Sequence, residues 1–498
     1  MYTLTFCVIL LILLYYMCNS TYDYWKKKNV PFVHPMTLFG NFFHLTMGKV
    51  NVSSAYLKLY REGFGKKYIG IYFMRTPMLL LRDPELINRV LIKDFSHFIN
   101  HGAPCDVVST PLSNHLYNMK SQQWKIMRDK ISPAFTPFKL KNLLEPTKEC
   151  CEELLINIKK NLNNSNIINI EKLLENLSMD VIGVCGFGLK LSEITYDDSP
   201  FHKAGRLLLK PSLLTQMKFL TFFISPKLRK VINVTDFPSD ALEFMEKAFR
   251  HTMDYREKNN IFRGDIVDYL LQAKKDLVID KSESPVIFEE IHIIANAFFF
   301  FVAGFETTAI TMEFCLYQLA LNKNIQDHVR KEVFQAKAKH NGTLNYEFLG
   351  ELHYLEMVIC ETLRMYTPLD IMREVEKPYQ IPDEDFVIEK NTKIMISPYC
   401  IHMDPKYYPN PMKFDPERFS PEEKAKRPNS TFLPFGDGPR NCLGEIFSKI
   451  EIKLAISLIL MRYELLPCEK TLIPMQFENR SLIMRPKNGM WLKFQPIE

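Results

Sequence analysis

The chain has 498 residues, of which 47% are hydrophobic and 24% are charged, and these proportions predict a large globular protein with an ample core. Its formal net charge of +6 is mildly basic. No arginine-rich arm, zinc-finger spacing or RNA-binding signature accompanies this charge, so nucleic acid is excluded as an expected partner.

The 11 cysteines are scattered along the chain and their number is odd, which argues against a closed disulfide framework. No CxxC pair offers a zinc site. We therefore expect a reducing compartment and buried, unreactive thiols. Cys442 is the exception, because the residues around it form a distinctive loop.

Residues 1–20 form an uncharged run that is long enough to cross a bilayer. Tyr22, Tyr24 and Trp25 follow at the expected membrane interface, and three lysines come next at 26–28. Because no charged segment precedes the run and no small-residue cleavage site ends it, we predict an uncleaved signal anchor. The lysines predict a cytosolic location for the rest of the chain. A cleaved signal peptide is the alternative.

Residues 21–41 predict a charged, stiff linker between the anchor and the body of the protein. They contain Pro31, Pro35 and Gly40, which do not continue a helix. After residue 41, no internal repeat and no Gly/Ser-rich stretch divides the sequence. We therefore expect residues 42–498 to form one catalytic domain.

The apolar spacing predicts a mainly α-helical body with a minor β-rich region. YIGIYF and PMLLLRD flank Arg75-Thr76-Pro77, an arrangement that is typical of a β-hairpin. From about residue 84 the spacing becomes helical. It predicts helices over 84–93, 121–130, 139–161, 168–185, 239–258, 287–321, 323–337 and 352–365.

The segment PFGDGPRNCLGE surrounds one cysteine with residues that bend the backbone. Gly436 and Gly438 permit backbone angles that other residues resist. Cys442 then lies at the start of a long helical pattern, where unpaired amide groups and the helix dipole favour a thiolate. A buried structural cysteine would need neither the glycines nor Arg440, which is suited to neutralise an acidic ligand.

A second motif, FFFFVAGFETTAITM, interrupts a long apolar helical pattern. Thr307 lies four residues after Ala303, so its hydroxyl can bond back to that carbonyl group and loosen the helix. Gly304 leaves room for a small molecule, and Glu306 supplies an ionisable group that a core helix does not need. The alternative is a packed core helix with a back-bonded threonine.

Two weaker motifs each place two side chains on one face of a helix. ETLR holds Glu361 and Arg364 at i, i+3 spacing, which by itself is also typical of a surface ion pair. WKIMR holds Trp124 and Arg128 on adjacent turns. Their indole N–H and guanidinium groups are suited to bind an acidic group.

Taken together, these motifs resemble those of cytochromes P-450. Phe435, Gly438, Arg440, Cys442 and Gly444 match the haem-binding signature F-x-x-G-x-R-x-C-x-G of that family. The resemblance extends from the N-terminal run to PKNGMWLKF near the C terminus. LSNHLYNM, ISPAFT and AGFETT are most similar to insect microsomal members that oxidise plant toxins and insecticides.

The resemblance implies the cytochrome P-450 fold, mainly α with a minor β-rich region, preceded by one N-terminal transmembrane helix. It implies that Cys442 is the axial thiolate ligand of a haem b iron, that Glu306 supplies protons and that Thr307 holds bound oxygen. The Glu-x-x-Arg pair and Arg418 resemble a buried structural network of the family. The remaining haem contacts are expected from Trp124, Arg128, Ala303, Arg373, Phe435, Arg440 and Gly444.

The same resemblance implies a membrane-bound monooxygenase that inserts one oxygen atom of O₂ into a lipophilic small molecule. Electrons would come from NADPH through NADPH–cytochrome P-450 reductase, with cytochrome b5 as a further partner. The expected location is the endoplasmic reticulum membrane, with the catalytic domain on the cytosolic face. A dedicated hormone or pheromone hydroxylase, a haem-thiolate isomerase and a non-catalytic haem protein are the alternatives, and the Glu306-Thr307 pair argues against the isomerase.

Some residues depart from the family pattern. Ile446 replaces an expected arginine and Glu445 adds a negative charge to the face that receives the reductase, which predicts altered electron delivery.

Asp370 lies in a loop that is expected near the haem, where it binds a polar substrate group, pairs with Arg373 or is solvated. Residues 213–230 are apolar and then basic, and they predict either a membrane-dipping lid or an amphipathic core helix. Four consecutive phenylalanines at 298–301 predict an aromatic substrate pocket.

Overall fold

The structure is a computed structural model that describes residues 2–163, 165–190, 199–210, 213–224, 237–279 and 286–497. Its α-helices are Tyr2–Asn19, Tyr24–Lys27, Phe43–Thr46, Val52–Glu62, Pro84–Asn88, Ser121–Ile131, Pro137–Asn142, Leu144–Leu162, Glu171–Val181, Pro200–Leu209, Leu213–Ile224, Ser239–Asn259, Ile266–Lys274, Glu290–Leu321, Lys323–Lys339, Tyr346–Gly350, His353–Met365, Pro398–His402, Pro421–Ala425 and Glu445–Leu460. The strands are β1 (Tyr68–Phe73), β2 (Thr76–Leu81), β3 (Ile167–Asn169), β4 (Ile371–Glu374), β5 (Tyr379–Gln380), β6 (Val387–Ile388), β7 (Lys393–Ile396), β8 (Tyr463–Leu466) and β9 (Trp491–Pro496). The described chain is therefore mainly helical with a minor sheet region, as predicted.

Every helix predicted from the periodicity is present, although three have different boundaries. The stretch predicted over 139–161 is divided into Pro137–Asn142 and Leu144–Leu162. The stretch predicted over 84–93 ends in a π-helical turn. The stretch predicted over 168–185 starts at Glu171, because residues 167–169 form β3 and pair with β9 near the C terminus. Local periodicity cannot reveal a strand whose partner lies so far along the chain.

The predicted hairpin is present, with a tighter turn than the sequence indicated. β1 pairs antiparallel with β2, and Phe73 lies opposite Thr76. Met74 and Arg75 therefore make the turn, while Thr76 and Pro77 belong to β2. The hairpin continues into a four-stranded sheet in the order β1-β2-β7-β4. β3, β9 and β8 form a second sheet, and β5 pairs with β6.

Trp25 does not lie at a membrane interface as expected, because it is buried against the first sheet. Its side chain is 0% exposed, and its Nε1 donates a hydrogen bond of 3.2 Å to the Ile71 carbonyl group. Gly70 makes this contact possible, since a Cβ atom there would lie 2.6 Å from the Trp25 ring. Part of the predicted linker thus packs on β1. The division into anchor, linker and catalytic domain stays a prediction.

The Glu290–Leu321 helix, here called the core helix, runs through the helical part of the protein. It packs against Glu171–Val181, Ser239–Asn259, His353–Met365 and Glu445–Leu460. It is long and apolar enough to cross a membrane, yet 72% of its most apolar window is buried inside the protein. It is therefore the centre of the fold. A separate helix, Tyr2–Asn19, coincides with the predicted anchor.

The Glu-x-x-Arg motif forms a buried ion pair that connects two distant segments. Arg364 Nε lies 2.6 Å from Glu361 Oε2, and both side chains are 0% exposed. Arg364 also donates to the carbonyl groups of His402 and Pro411. Arg418 lies 3.5 Å from the same glutamate. The pair thereby joins the His353–Met365 helix to the chain that leads towards Cys442, and the surface-pair alternative is wrong.

Removal of Arg364 should destabilise the protein strongly, because the Glu361 carboxylate would stay buried without its nearest cation. We expect Arg364→Ala to lower the free energy of unfolding by about 3–5 kcal/mol. Lys247→Ala is the matched control, since it removes an exposed ion pair with Glu243 and should cost about 1 kcal/mol or less. Denaturant unfolding measures both values, and equal losses would contradict the structural role of the pair.

Candidate functional site

The loop of residues 434–444, here called the cysteine loop, folds back on itself before the Glu445–Leu460 helix. The Cys442 amide donates a 2.9 Å hydrogen bond to the Phe435 carbonyl group. Gly436 and Gly438 have φ values of +73° and +72°, so both predicted glycine conformations are present. A Cβ atom on Gly438 would collide with the carbonyl oxygen of Leu91. The loop is thus shaped by backbone angles and by one close approach.

Cys442 precedes the helix instead of starting it, since the helix begins at Glu445. Cys442 is the one exposed residue among the described cysteines, since the others are buried or half-buried, although protein atoms still surround its thiol on most sides. Burial raises the pKa of the Cys442 thiol above its ordinary value, although the amide groups of Gly444 and Glu445 and the charge of Arg128 lower it. The amide groups of Gly444 and Glu445 therefore do not by themselves produce the expected preference for a thiolate at Cys442. A metal ion at the sulfur would supply the missing positive charge.

Arg128, Arg373 and Arg440 are three buried or half-buried cations near this loop. Arg128 donates to the main chain and side chain of Asn441, at 3.0 Å each. Arg440 donates to the Met119 carbonyl group at 2.7 Å. In the part of the chain that the structure describes, none of the three forms an ion pair. Burial lowers the pKa of Arg373 to about 10. Burial and the nearby charge of Arg373 lower the pKa of Arg440 to about 8.

Trp124 packs against the same group of cations. The Arg440 guanidinium lies 4.3 Å from the centre of its ring, a cation–π contact. Its Nε1 donates to no described residue. The sequence predicted Trp124 as a hydrogen-bond donor to an acidic group, and this role stays a prediction.

His101 also lies in this group of side chains, although no sequence motif predicted it. Its Nδ1 lies 2.8 Å from Arg373 Nη1, and its ring stacks on Tyr117 at 4.1 Å. The same Nδ1 also lies 3.3 Å from the Met372 carbonyl oxygen, so it accepts from Arg373 when the ring proton is on Nε2 and donates to Met372 when the proton is on Nδ1. Burial and the nearby arginines keep the pKa of His101 well below its ordinary value. His101 is therefore a neutral group beside the arginines.

These features fit the haem b that the family resemblance implies. The thiol of the exposed Cys442 can bind a metal ion, and three cations that lack carboxylate partners can bind two acid groups. Gly444 keeps the space beside the thiol open, because a Cβ atom there would meet only the Cys442 sulfur, at 4.0 Å. The donor set therefore agrees with the chemistry of a flat, dianionic, metal-containing group.

The core helix has a group of positions that are only half-buried. Between residues 292 and 320, the half-buried positions are Phe299, Val302, Ala303, Gly304 and Thr307, and the rest are buried. Thr307 Oγ1 donates to the Ala303 carbonyl group at 2.9 Å, as predicted. The helix nevertheless remains α-helical throughout. Gly304 does not make room for a small molecule, because a Cβ atom there would lie 3.2 Å from the Ile182 side chain.

Glu306 lies on another face of the core helix and is buried. Its Oε1 lies 3.1 Å from Arg485 Nη2. Burial raises the pKa of Glu306 to about 8, an effect that Arg485 opposes and Glu175 reinforces. The carboxyl group therefore carries a proton at neutral pH. Neither Arg485 nor Glu175 belongs to a motif that predicted a site, although Arg485 directly precedes PKNGMWLKF.

Of the four phenylalanines that predicted an aromatic pocket, only Phe299 is half-buried. It stacks on His115 with ring centres 4.3 Å apart. Phe298, Phe300 and Phe301 are buried and belong to the hydrophobic core. Helical geometry explains the difference, because four consecutive residues point to all sides of a helix.

Asp370 forms no ion pair with Arg373 in the described part of the chain, so that alternative is wrong. Arg373 instead donates to the Met372 carbonyl group and to His101. Burial raises the pKa of Asp370 to about 6, and the nearby Ser397 hydroxyl opposes the rise. A contact between Asp370 and a polar group of the substrate therefore stays a prediction.

The predicted lid is described only up to residue 224, and residues 225–230 lie outside the described residues. The first part is the Leu213–Ile224 helix. Leu213, Leu214 and Met217 are each more than half exposed, whereas Leu220 packs against the β-rich core. This helix thus has an exposed apolar side as well as an attached side.

The two glycines of the cysteine loop allow a matched test of its geometry. Both Gly436→Ala and Gly438→Ala place a side chain at positive φ, at a cost of about 1–2 kcal/mol. Only Gly438→Ala also collides with Leu91, since the nearest atom to a Cβ at Gly436 is 3.9 Å away. We expect a clearly larger loss of unfolding free energy and of bound haem for Gly438→Ala. Equal losses in denaturant unfolding would contradict the close approach.

Comparison with known proteins agrees with this geometry. The family model described as Cytochrome P-450 matches residues 30–493. Cytochrome P-450 6k1 of Blattella germanica is 33% identical over 496 residues, which cover 97% of this chain and 94% of that protein. Cytochrome P-450 6a2 of Drosophila melanogaster is 34% identical over 499 residues, which cover 97% of each chain. Cytochrome P-450 9e2 of Blattella germanica is 33% identical, with 98% of this chain and 97% of that protein covered. The chain therefore belongs to the cytochrome P-450 family and is a haem-dependent oxidoreductase with monooxygenase activity.

Proposed function

We propose that this protein oxidises lipophilic small molecules, among them plant toxins and insecticides, with haem b held by Cys442. The observation that carries the proposal is the thiol of the exposed Cys442 beside three arginines that have no carboxylate partner among the described residues. The similarity to insect relatives supports the substrate class. When bound, the haem supplies a redox-active iron that activates O₂.

The side chains around the site have separate tasks in this proposal. Cys442 Sγ binds the iron, and Arg128, Arg373 and Arg440 neutralise the two acid groups of the cofactor. Trp124, Ala303, Phe435 and Gly444 complete its surroundings. The half-buried face of the core helix, with Phe299 at one end and Thr307 at the other, excludes bulk water and offers an apolar surface to the substrate.

Thr307 and Glu306 control protons in the proposed reaction. Glu306 holds a proton on its carboxyl group at neutral pH, because burial raises its pKa to about 8. The Thr307 hydroxyl donates to Ala303, so its oxygen lone pairs remain free to accept a hydrogen bond. We propose that Glu306 supplies the proton and that the Thr307 hydroxyl would orient it on the side of the core helix where the haem would lie.

Electrons are proposed to come from NADPH through NADPH–cytochrome P-450 reductase, with cytochrome b5 as a second donor. Near the cysteine loop, Lys449 lies 2.9 Å from Glu445 and 3.1 Å from Glu356. The negative charge of Glu445 is thus already balanced, while Ile446 remains 40% exposed. The departure from the family pattern at Glu445 should therefore matter less for docking of the reductase than the one at Ile446.

We further propose attachment to the endoplasmic reticulum membrane with the catalytic domain on the cytosolic face. The Tyr2–Asn19 helix would be the anchor, because its 18 residues are uncharged. The exposed apolar residues Leu213, Leu214 and Met217 would add a second contact with the bilayer.

Exchange of Cys442 tests the cofactor assignment. Thiolate-ligated haem that is reduced and bound to carbon monoxide absorbs at a longer wavelength than haem ligated by histidine. We expect this shifted band in the wild type and in the control Cys468→Ser, which changes a half-buried cysteine. We expect Cys442→Ser to lack it, because a serine hydroxyl does not replace a thiolate. A normal shifted band in Cys442→Ser would refute the assignment.

Exchange of Thr307 tests the proton-orienting role. Thr307→Ala should still bind haem, substrate and O₂, but protons should more often release hydrogen peroxide. We expect NADPH consumption to persist while product per NADPH falls, at most on the order of 10²-fold. Thr308→Ala is the matched control, since Thr308 makes the same 2.9 Å bond to a carbonyl group four residues before it and is buried. Unchanged coupling in Thr307→Ala would return this residue to a packing role.

A further inference from the structure

Behind Glu306, a group of four carboxyl side chains surrounds one guanidinium. Arg485 Nη2 lies 2.7 Å from Glu175 Oε1 and 3.1 Å from Glu306 Oε1, and Nη1 lies 3.8 Å from Glu171. Glu313 is the fourth member, two helical turns after Glu306. Three elements thus contribute: the Glu171–Val181 helix, the core helix and the segment before β9. We call these five residues the carboxyl cluster.

Glu313 shows that the carboxyl cluster cannot be fully ionised. Its side chain is 0% exposed, and neither of its carboxyl oxygens has a hydrogen-bond partner in the described part of the protein. An isolated carboxylate in such a place is very unfavourable. Burial, reinforced by Glu171 and Glu175, raises the pKa of Glu313 well above its ordinary value. Glu313 is therefore a neutral acid at neutral pH.

The charges of the other members of the carboxyl cluster lead to the same conclusion, that the cluster is not fully ionised. One guanidinium cannot balance several buried carboxylates, so some of them keep a proton. Burial raises the pKa of Glu171, and Glu175 raises it further while Arg485 opposes the rise. Arg485 itself stays charged, because a guanidinium does not lose its proton in a protein. Within the carboxyl cluster, Glu306 and Glu313 are therefore the groups that hold protons at neutral pH.

Exposure decreases stepwise through the carboxyl cluster. The side chain of Glu171 is 22% exposed, that of Glu175 is 9% and that of Glu306 is 7%. Glu171 can therefore exchange protons with water, whereas Glu306 cannot do so freely. Glu175 lies between them, because it shares Arg485 Nη2 with Glu306. Because the Glu175 and Glu306 oxygens lie 2.7 Å and 3.1 Å from the same nitrogen, they are at most about 6 Å apart, a distance that one hydrogen-bonded water spans.

We propose that Glu171 and Glu175 form a proton-uptake route from the protein surface to Glu306, with Arg485 as the positioning residue that holds the route together. This inference rests on the proposed role of Glu306 as the proton donor of the monooxygenase. When Glu306 releases its proton, Glu171 takes up a proton from water, and this proton passes through Glu175 to Glu306. Only protons move along the route, and Arg485 neither gains nor loses one.

The test follows hydrogen–deuterium exchange at Glu306 in the holoenzyme, without turnover. Protonated carboxyl groups have an infrared C=O band that shifts in D₂O, and the Glu306 band is the one that Glu306→Gln removes. We expect Glu171→Gln and Glu175→Gln each to slow the shift of this band, on the order of 10²-fold. Glu175→Asp keeps a carboxyl group and should restore part of the rate.

Two controls separate a lost route from general disturbance. Glu313→Gln replaces a neutral acid by a neutral amide of the same shape, and Glu145→Gln changes an exposed glutamate that pairs with Lys148. Both variants should exchange at the wild-type rate. Arg485→Gln removes the cation beside Glu306, so the Glu306 band should persist to higher pH than in the wild type. A merely structural role of Arg485 would not move this pH.

Two outcomes would overturn the proposal. One is wild-type exchange at Glu306 in both Glu171→Gln and Glu175→Gln, because protons would then arrive by another way. The other is the absence of a Glu306 band at pH 7, because no proton would then be stored there. Failure of the haem-thiolate assignment is recognised separately, by the carbon monoxide spectrum of Cys442→Ser, since the exchange measurement needs no catalysis.

Discussion

The need to balance buried charge governs this molecule, because a charge taken out of water must find an opposite charge or lose its ionisation. Glu361 and Arg364 satisfy this need within the chain, and their pair ties the path to the cysteine loop to a central helix. The arginines near Cys442 do not satisfy it among the described residues. The partner that we propose for them is a dianionic cofactor, which would then be part of the charge balance of the folded protein.

The core helix separates the two unbalanced groups of charges. One face, which includes Phe299, Ala303 and Thr307, is only half-buried. Another face carries Glu306 and Glu313 towards the Glu171–Val181 helix, where negative charge exceeds positive charge. Because Glu306 and Thr307 are neighbours in sequence, they lie about 100° apart around the helix. Glu306, which holds the proton, therefore lies next in sequence to Thr307, whose face of the helix is the proposed site of the reaction.

The sequence motifs predicted interactions that depend on short spacing. A threonine four residues after Ala303 can reach only a few acceptors, and it donates to that carbonyl group in the structure. The same argument explains the Glu361–Arg364 pair and the glycine conformations of the cysteine loop. Contacts between distant segments were not predictable in this way. His101 beside Arg373, Arg485 beside Glu306 and Trp25 on the first sheet all join segments whose spacing in sequence carries no information about distance.

The amino-acid sequence by itself determined the helical periodicity, the hairpin, the cysteine loop and the acid–alcohol pair of the core helix, because these depend on residue type and on neighbours within a few positions. The tertiary structure decided which groups lack partners. It shows that Gly304 accommodates Ile182 and that three of the four phenylalanines belong to the core. It also gathers four carboxyl groups around Arg485. The physical reason is that burial and charge balance are sums over all neighbours in space, and the folded chain alone brings those neighbours together.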